Sequence, residues 1–555
     1  TPTRLPEFLN SFDMATLLNA GLRNDNKPEL YSATDLQKFK DGSSPNTHPN
    51  TDWFDLGLNN SAPTQQYNLN VSGGADKIRY FLSLGFLDQK GLYNNVGYKR
   101  YNFRSNIDVD ATATTNIKLD IAGRFEERDN PYISATNGRD DIFYSLVRIR
   151  PTVVGYFTNG LPNRVPGAHP VEATDRSGYR KNRNYVLMNT LSITQKIPFV
   201  SGLSFKGVLA YDKAFNFEKQ WATPYTVYEF NPTTDVYNPV VATVASPVLA
   251  QYNNDNYNST IEAHINYERV FGNHSLKGLV LFSQNSFDYN AIFAGRRNFL
   301  SSAIDEIGAG PAATAENGGE SVQRARRGWV GRINYDLMNK YFIEANFRYD
   351  ASENFPKNSR WGFFPSVSAG WRISDEAFFT NSIKAIDYLK IRGSWGQLGN
   401  DKLNAQTFLY YSTYNYAANY SINNQLVQTI AEARIGNPNI TWETATSFNV
   451  GLEGAALKNK LNFEFDYFKK RTSDILGARN LSIPGTSGIG GNIIPTENLI
   501  IVENQGFEFN ITYNNNIGKN FRYNVSLNYT RAKNELILQM NLLMFWIIKK
   551  ELVNL

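Results

Sequence analysis

The chain has 555 residues, a formal net charge of +5 and 14% aromatic residues, chiefly Tyr and Phe. This near-balanced charge offers no broad basic surface for nucleic acid, and the absence of Cys excludes disulfides and thiolate metal sites. No segment reaches the ~20 consecutive apolar residues of a membrane-spanning helix, since the longest apolar run, at 542–548, has seven.

The first 64 residues have a mixed pattern, with helical spacing at 7–21 and a polar loop at 46–55. From residue 65 onward apolar residues recur at every second position, which indicates strands. In one segment the apolar side chains are Tyr341, Ile343, Ala345, Phe347 and Tyr349. The alternation is found at 65–71, 78–86, 101–109, 117–125, 203–211, 260–268, 341–349, 366–373, 389–395, 448–452, 461–467, 507–513 and 521–529.

The predicted strands are joined by short turns at one end and by long connections at the other. Short connections lie at 457–460 and 514–520, and polar, aromatic-rich ones at roughly 130–185, 217–255, 290–325, 400–443 and 474–505. This asymmetry is typical of outer-membrane barrels. In a soluble protein, this many strands would require several β-sandwich domains joined by linkers, and the sequence shows no such linkers. The prediction is an all-β, transmembrane antiparallel β-barrel of roughly 16 strands with long extracellular loops.

Several ordered motifs carry a family resemblance. They include "FRYDASENFPKNSRWGFFPSVSAGWRISDEAFF" at 347–379, "LKIRGSWGQLGN" at 389–400, "SGGADKIRYFLSLGFLDQKGL" at 72–92 and "NPNITWETATSFNVGLE" at 437–453. With these motifs the chain resembles the SusC/RagA family of TonB-dependent outer-membrane transporters of Bacteroidota-type Gram-negative bacteria. The matches run from about residue 48 to about residue 540.

The resemblance implies a 22-stranded barrel around an N-terminal plug that carries a TonB box. On this basis we expect residues 1–64 to join the plug to the barrel and residues 65–540 to form part of the barrel, with the plug and the last strands missing from a partial chain. We expect such a chain not to close into a transporter by itself. For the non-alternating tail at 541–555 our hypothesis is a frameshifted product, which sequencing of the gene decides.

The resemblance also implies a function and partners. It predicts uptake of an oligosaccharide or peptide across the cell outer membrane, with a SusD-like surface lipoprotein, outer-membrane lipid around the wall, and energy from TonB, ExbB and ExbD acting through the plug. No nucleic acid, cofactor or metal is expected. Two alternatives stay open: a secreted or surface glycan-binding β protein, and a passive porin.

Candidate site residues come from the aromatic segment 408–420. Aromatic faces with Asn neighbours can stack on sugar rings or contact peptides, so the ligand-binding candidates are Tyr410, Tyr411, Tyr414, Tyr416 and Tyr420. Trp371 and Trp395 are predicted to lie at the membrane interface. The four His residues lack the spacing of a zinc site, and no catalytic motif is present, so the sequence does not predict an enzyme.

Overall fold

One large antiparallel sheet dominates the molecule. The computed structural model describes residues 6–132, 141–402, 407–478, 486, 493–518 and 520–538, so the tail at 541–555 lies outside the described residues. Sixteen strands form the sheet, each hydrogen-bonded to the next in chain order, with β1 and β20 at its two edges. The predicted all-β antiparallel architecture of about 16 strands is confirmed.

The strands of the sheet and its two satellite hairpins are long and regular. They are β1 Thr64–Ala75, β2 Ile78–Lys90, β3 Gly97–Asp110, β4 Thr115–Pro131, β5 Gly178–Lys196, β6 Leu203–Ala222, β7 Tyr225–Asn231, β8 Val236–Ala242, β9 Val248–Phe271, β10 His274–Arg296, β11 Glu316–Leu337, β12 Tyr341–Ser352, β13 Trp361–Arg372, β14 Ile386–Asn400, β15 Thr413–Ile422, β16 Gln425–Arg434, β17 Glu443–Ala456, β18 Leu461–Ala478, β19 Thr496–Ile517 and β20 Phe521–Leu538. The pairs β7–β8 and β15–β16 form separate two-stranded sheets.

In the described part of the chain, six short α-helices accompany the sheet: α1 Ser11–Asn24, α2 Ala33–Asp41, α3 Trp53–Gly57, α4 Asp141–Arg148, α5 Pro170–Arg176 and α6 Ala377–Ser382. The helix predicted at 7–21 begins later because Asn10 is its N-cap and accepts a hydrogen bond from the Asp13 amide at 2.9 Å. Ser32 and Asp35 form a capping box at α2, which ends at Gly42 in the left-handed conformation. Among the helices in the described ranges, none has the length and hydrophobicity of a membrane span.

The strand register puts apolar side chains on one face of the sheet and polar ones on the other. Tyr341 of β12 pairs with Trp371 of β13, which pairs with Ile391 of β14, so the apolar stripes of the three strands share a face. The other face carries Glu344 and Arg348 of β12. The apolar face is exposed along the wall, at Ile343, Val367 and Ile391 among others. An exposed apolar face opposite a charged one is the pattern of a membrane barrel.

The connections are shorter than the sequence predicted, because the strands continue beyond the alternating segments. The connection predicted at 217–255 is limited to residues 223–247, since β6 ends at Ala222 and β9 begins at Val248. The long connections nevertheless all leave the same end of the sheet, opposite turns such as 272–273 and 457–460. We call it the long-loop end.

Residues that precede β1 also lie at the long-loop end. Trp53 of α3 is buried in a core with Ile142 and Leu146 of α4 and with Tyr225 and Val227 of β7. The Trp53 indole Nε1 donates a hydrogen bond to the Arg150 carbonyl at 3.1 Å. These contacts fix the segment before β1 to the loops β4–β5 and β6–β9. Its role as a link to a plug stays a prediction.

Candidate functional site

The polar stretch before β13, residues 353–360, holds the loop β14–β17 in place. It follows β12, and its Phe355 is fully buried against the Trp442 ring, with 4.9 Å between ring centroids. Leu409 and Ile440 of the loop β14–β17 complete this cluster. Because both loops contribute to one apolar core, the loop β14–β17 is seated on the wall.

Hydrogen bonds on both sides of this core set the position of the loop. The Asn354 side-chain amide donates to the Asp401 carbonyl at 3.0 Å, and the Trp442 indole donates to the Arg360 carbonyl at 3.2 Å. On the opposite side, the Asn437 side chain donates to the Thr496 carbonyl at 2.8 Å. The loop is therefore fixed to β12–β13 and to the start of β19.

The first two candidate tyrosines lie at the base of the loop. Tyr410 packs against the Phe355–Trp442 cluster, and burial raises the pKa of its phenol, with the neighbouring Tyr411 adding to the shift. The rings of Tyr410 and Tyr411 are 4.3 Å apart, and Tyr411 is exposed. The ring of Tyr411 is therefore accessible to solvent, whereas the ring of Tyr410 lies between Tyr411 and the Phe355–Trp442 cluster.

The other three candidate tyrosines lie on β15, in a hairpin that projects from the loop. Tyr416 pairs with Ile430, but a register shift between Ala417 and Asn419 puts Tyr420 opposite Val427. Because side chains alternate between faces, Tyr414 and Tyr416 lie on one face and Tyr420 on the other. The five candidates therefore do not form one surface, since the bulge interrupts the simple alternation of the sequence.

Apolar residues on β16 join these tyrosines, and the sequence prediction did not include them. Large side chains on both strands are exposed: Tyr414, Tyr416, Tyr420, Ile422, Leu426, Val427 and Ile430. We call this segment, residues 413–434, the apolar hairpin. The apolar and β-branched residues at 426–430, Leu-Val-Gln-Thr-Ile, were a usable signal for the second strand. An isolated hairpin of this kind is at best marginally stable without a covering surface.

The two candidate interface tryptophans occupy different levels of the wall. Trp371 lies at the short-turn end of β13, stacked on Tyr341 with ring centroids 6.5 Å apart, and its indole donates to Glu376 at 3.3 Å. Trp395 of β14 is exposed and pairs with Val367 of β13. Trp371 pairs with Ile391, which precedes Trp395 by four residues on β14. Four residues correspond to about 13 Å along a strand. An interfacial position for both tryptophans stays a prediction.

The polar face of the wall carries connected ion pairs rather than isolated charges. The Arg392 guanidinium donates to Glu464 at 2.6 Å and to Asp466 at 2.7 Å, across the intervening strand β17. Gly451 of β17 lies between them, and a Cβ there would stand 2.6 Å from the Asp466 carboxylate. Such a surface fits a hydrated interior or a polar plug. No cluster of three or more His, Asp or Glu that could hold a metal occurs in the described residues.

Comparison of sequences gives related barrels. Residues 155–541 match the family described as "TonB dependent receptor-like, beta-barrel". TonB-dependent receptor P3 of Formosa agariphila is 27% identical over 92% of this chain and 50% of its own length. TonB-dependent receptor SusC of Bacteroides thetaiotaomicron is 24% identical over 88% of this chain and 48% of its own length. The chain spans about half the length of the curated relatives it matches.

Comparison of structures supports the same fold. A structure of the RagAB peptide transporter superimposes with a TM-score of 0.74 and 19% identity, covering 97% of this chain and 60% of that one. The same importer in its "open-open" state gives a TM-score of 0.70 at 20% identity, covering 87% of this chain and 51% of that one. At these identities the likeness is one of fold.

Proposed function

Because the chain belongs to the TonB-dependent receptor family, as part of its outer-membrane β-barrel, we propose that it forms the wall and loop platform of a SusC-like importer for an oligosaccharide or a peptide. The observation that carries this proposal is the apolar hairpin at the long-loop end of a wall with a charged inner face. The fold alone would not define a function.

The apolar hairpin suits a docking role in this importer. Its exposed residues Tyr420, Ile422 and Val427 share one face and stand on a loop that the Phe355–Trp442 cluster holds in place. Protein–protein interfaces are commonly centred on aromatic and aliphatic side chains that a rigid segment holds in position. We assign one face of the hairpin, with Tyr414 and Tyr416, to the ligand and the other, with Tyr420 and Val427, to a SusD-like lipoprotein lid.

Energy for uptake is proposed to come from TonB with ExbB and ExbD, acting on a plug inside the wall. The plug would contact the inner-face ion pairs around Arg392. The names of two relatives support this coupling, and the RagAB name supports a peptide as one of the two substrate classes. Transport, rather than catalysis, is the role proposed for the loop aromatics.

Uptake of labelled oligosaccharides and peptides by cells tests the proposal. We expect accumulation of one class to require TonB and to fall at least tenfold in the double variant Tyr414→Ala/Tyr416→Ala. Tyr420→Ala with Val427→Ala should instead weaken co-purification of the lipoprotein lid. Uptake that persists without TonB would support a passive porin and contradict the importer, and ligand binding by a detergent-free soluble form would support the glycan-binding alternative.

The variants have a matched control. Tyr101→Ala removes an exposed tyrosine from the wall rather than from the hairpin, so it should leave both uptake and lid binding unchanged. Equal losses in the hairpin variants and in Tyr101→Ala would mean that the hairpin has no special role.

A further inference from the structure

Aromatic rings and amides line the inner face of β9 and β10 toward the long-loop end. Tyr349 of the apolar β12 stripe pairs with Trp329 of β11, which pairs with Phe282 of β10, so Phe282 faces outward. Side chains alternate between faces along a strand, and no register shift interrupts the pairing of β10 with β9 or β11. The inward-facing residues of this part therefore include Asn254, Asn256 and Asn258 on β9 and Phe287, Tyr289 and Phe293 on β10. We call these six residues the inner strip.

The inner strip lies beyond the part of the wall that lipid covers. On the outer face of β10 the apolar residues Val280 and Phe282 are followed, toward the long-loop end, by Gln284, Ser286, Asp288 and Asn290. Such a change to polar residues marks the end of the apolar band. The three rings of the strip are half-buried and belong to none of the buried apolar clusters in the described part of the chain. Neither lipid nor a protein core therefore accounts for them.

Contacts at both ends fix the geometry of the inner strip. At its upper end the Phe293 ring stacks on Tyr252 of β9, with 5.2 Å between ring centroids and 18° between ring planes. At its lower end the Asn285 amide donates to the Asn258 side-chain oxygen at 2.7 Å and to the Thr260 hydroxyl at 2.9 Å.

Between these ends the strip offers free hydrogen-bonding groups. The side chains of Asn254 and Asn256 have no hydrogen-bond partner among the residues that the structure describes. Each amide can both donate and accept. The backbone groups of β9 and β10, by contrast, are occupied, because each strand is paired on both sides. A ligand in the lumen would therefore meet rings and amides and no strand edge.

The inner strip carries no charge. The charged, inward-facing residues that flank it are Asp212 and Glu218 of β6 and Glu320 and Arg324 of β11. Because carboxylates outnumber the one guanidinium, an anionic ligand is disfavoured. An uncharged polar ligand with flat apolar faces fits the strip best.

From these observations we propose that the inner strip is a subsite for a neutral oligosaccharide, a proposal that rests on the importer function and selects one of its two substrate classes. Sugar rings have apolar faces that stack on aromatic rings and hydroxyls that donate and accept, as Asn amides do. The distance from Phe287 to Phe293 along β10 is about 20 Å, enough for several linked sugar rings. A peptide commonly binds through its main chain at a free strand edge, which this surface does not provide.

Uptake by cells that express the full-length protein tests the subsite. The probes are fluorescently labelled hexasaccharides from α-glucan, β-glucan, mannan and xylan, with hexagalacturonate as the acidic probe and labelled decapeptides as the peptide probe. We expect TonB-dependent accumulation of a neutral hexasaccharide. Its half-maximal concentration should rise at least tenfold in Phe287→Ala/Tyr289→Ala and at least threefold in Asn254→Ala/Asn256→Ala, because stacking surface and hydrogen bonds are lost.

Neighbouring residues on the outer face give matched controls. Ile292→Ala and Asn290→Ala, at exposed outward positions of β10, should change the half-maximal concentration less than twofold. If heat-modifiable gel migration shows that Phe287→Ala/Tyr289→Ala does not fold, Phe287→Leu/Tyr289→Leu keeps apolar volume without rings and should still raise that concentration at least fivefold. Equal effects of inner and outer variants, or inner variants that lose only heat resistance, would overturn the proposal.

The outcomes separate the subsite from the function on which it rests. TonB-dependent accumulation of peptides or of hexagalacturonate alone would overturn the neutral-oligosaccharide subsite and leave the importer standing. Uptake of a neutral hexasaccharide that depends on the hairpin tyrosines but not on the inner strip would do the same. If no probe accumulates in a TonB-dependent way, the importer itself is contradicted, and the subsite with it.

Discussion

At residue scale, His169 connects two parts of the long-loop end through both ring nitrogens. Its Nδ1 accepts from the Glu172 amide at 3.3 Å as the N-cap of α5, and its Nε2 donates to the Gly155 carbonyl at 3.0 Å. The side chain is 1% exposed, and this burial lowers the pKa of His169 below its usual value. The folded loops therefore require the neutral imidazole.

Acid should loosen these loops. The unfolded segment binds a proton near pH 6.5, whereas the folded one does so only at lower pH, so stability falls as the pH drops below about 6.5. Hydrogen-exchange protection of residues 171–177, taken relative to the slower intrinsic exchange in acid, should fall between pH 7 and pH 5. His169→Ala should lower the protection at both pH values, at a local cost of about 1–2 kcal/mol. His264→Ala, on strand β9, should change neither the protection nor its pH dependence, and protection that stays constant in acid would contradict the role of His169.

Gly451 is a second position where the identity of one residue matters, because its lack of a side chain leaves room for the ion pair between Arg392 and Asp466. A Cβ there would meet both the Asp466 carboxylate and the Arg392 guanidinium. We expect Gly451→Ala to destabilise the barrel by roughly 1 kcal/mol, because the partly hydrated ion pair must separate. The measurement is the temperature at which the folded band disappears in heat-modifiable gel migration. Gly393→Ala is the matched control, since its Cβ would have no neighbour closer than 3.9 Å.

At the scale of elements, the loop β14–β17 depends on one buried ring. Phe355→Ala removes a fully buried aromatic side chain from the contact with Trp442 and Ile440, a change that typically costs 3–5 kcal/mol. Because the strands do not depend on that ring, we expect protease to cut within residues 407–442 while the wall stays intact. Mass spectrometry of the fragments measures this.

An exposed ring gives the control for Phe355. Phe363→Ala, on the outer face of β13, should leave the loop resistant. Cleavage that is the same in both variants, or a collapse of the whole barrel in Phe355→Ala, would show that the ring is not a local anchor.

Every strand predicted from the sequence has one apolar face, although β5, whose exposed Tyr185, Leu187 and Ile193 form such a face, was missed. The alternation of 341–349 and 461–467 identified β12 and β18, because lipid on one side and water on the other impose a period of two. Most of β11, with Gly318, Gly319 and several Arg, shows no such period, and neither does β10 near Asn285. In these upper parts both faces are polar, so periodicity is lost although the backbone pairing continues.

The candidate site was predicted less well than the wall. The polar stretch 353–360 and the aromatic segment 408–420 stand far apart in the sequence, and the cluster that brings Phe355 together with Leu409 depends on the sheet order. Tyr416 and Tyr420 lie on opposite faces because of a β-bulge between Ala417 and Asn419. No Gly or Pro at this position predicts the bulge from the sequence. Both features result from tertiary packing, and the pattern of apolar and polar residues within one segment does not predict such packing.

At the scale of the whole molecule, the two faces of the wall should respond oppositely to charge. Val367→Arg puts a guanidinium on the exposed apolar face of β13, which should cost more than about 1 kcal/mol in lipid, the cost reaching about 2–4 kcal/mol at the bilayer midplane. Asn346→Arg puts the same group on the polar face, near Glu344, and should cost less than about 1 kcal/mol. Urea unfolding in lipid vesicles compares them, and similar costs would contradict the assignment of the lipid-facing side.

The length of the strands has a consequence for any protein that binds above the barrel. β9 has 24 residues, so it is roughly 80 Å long, and at a tilt of about 40° it rises roughly 60 Å, against an apolar band of about 25 Å. The mouth therefore stands on the order of 30 Å clear of the bilayer. A lipid-anchored lid of the kind proposed above would have to bridge that height, with on the order of ten extended residues between its acylated end and its first folded element.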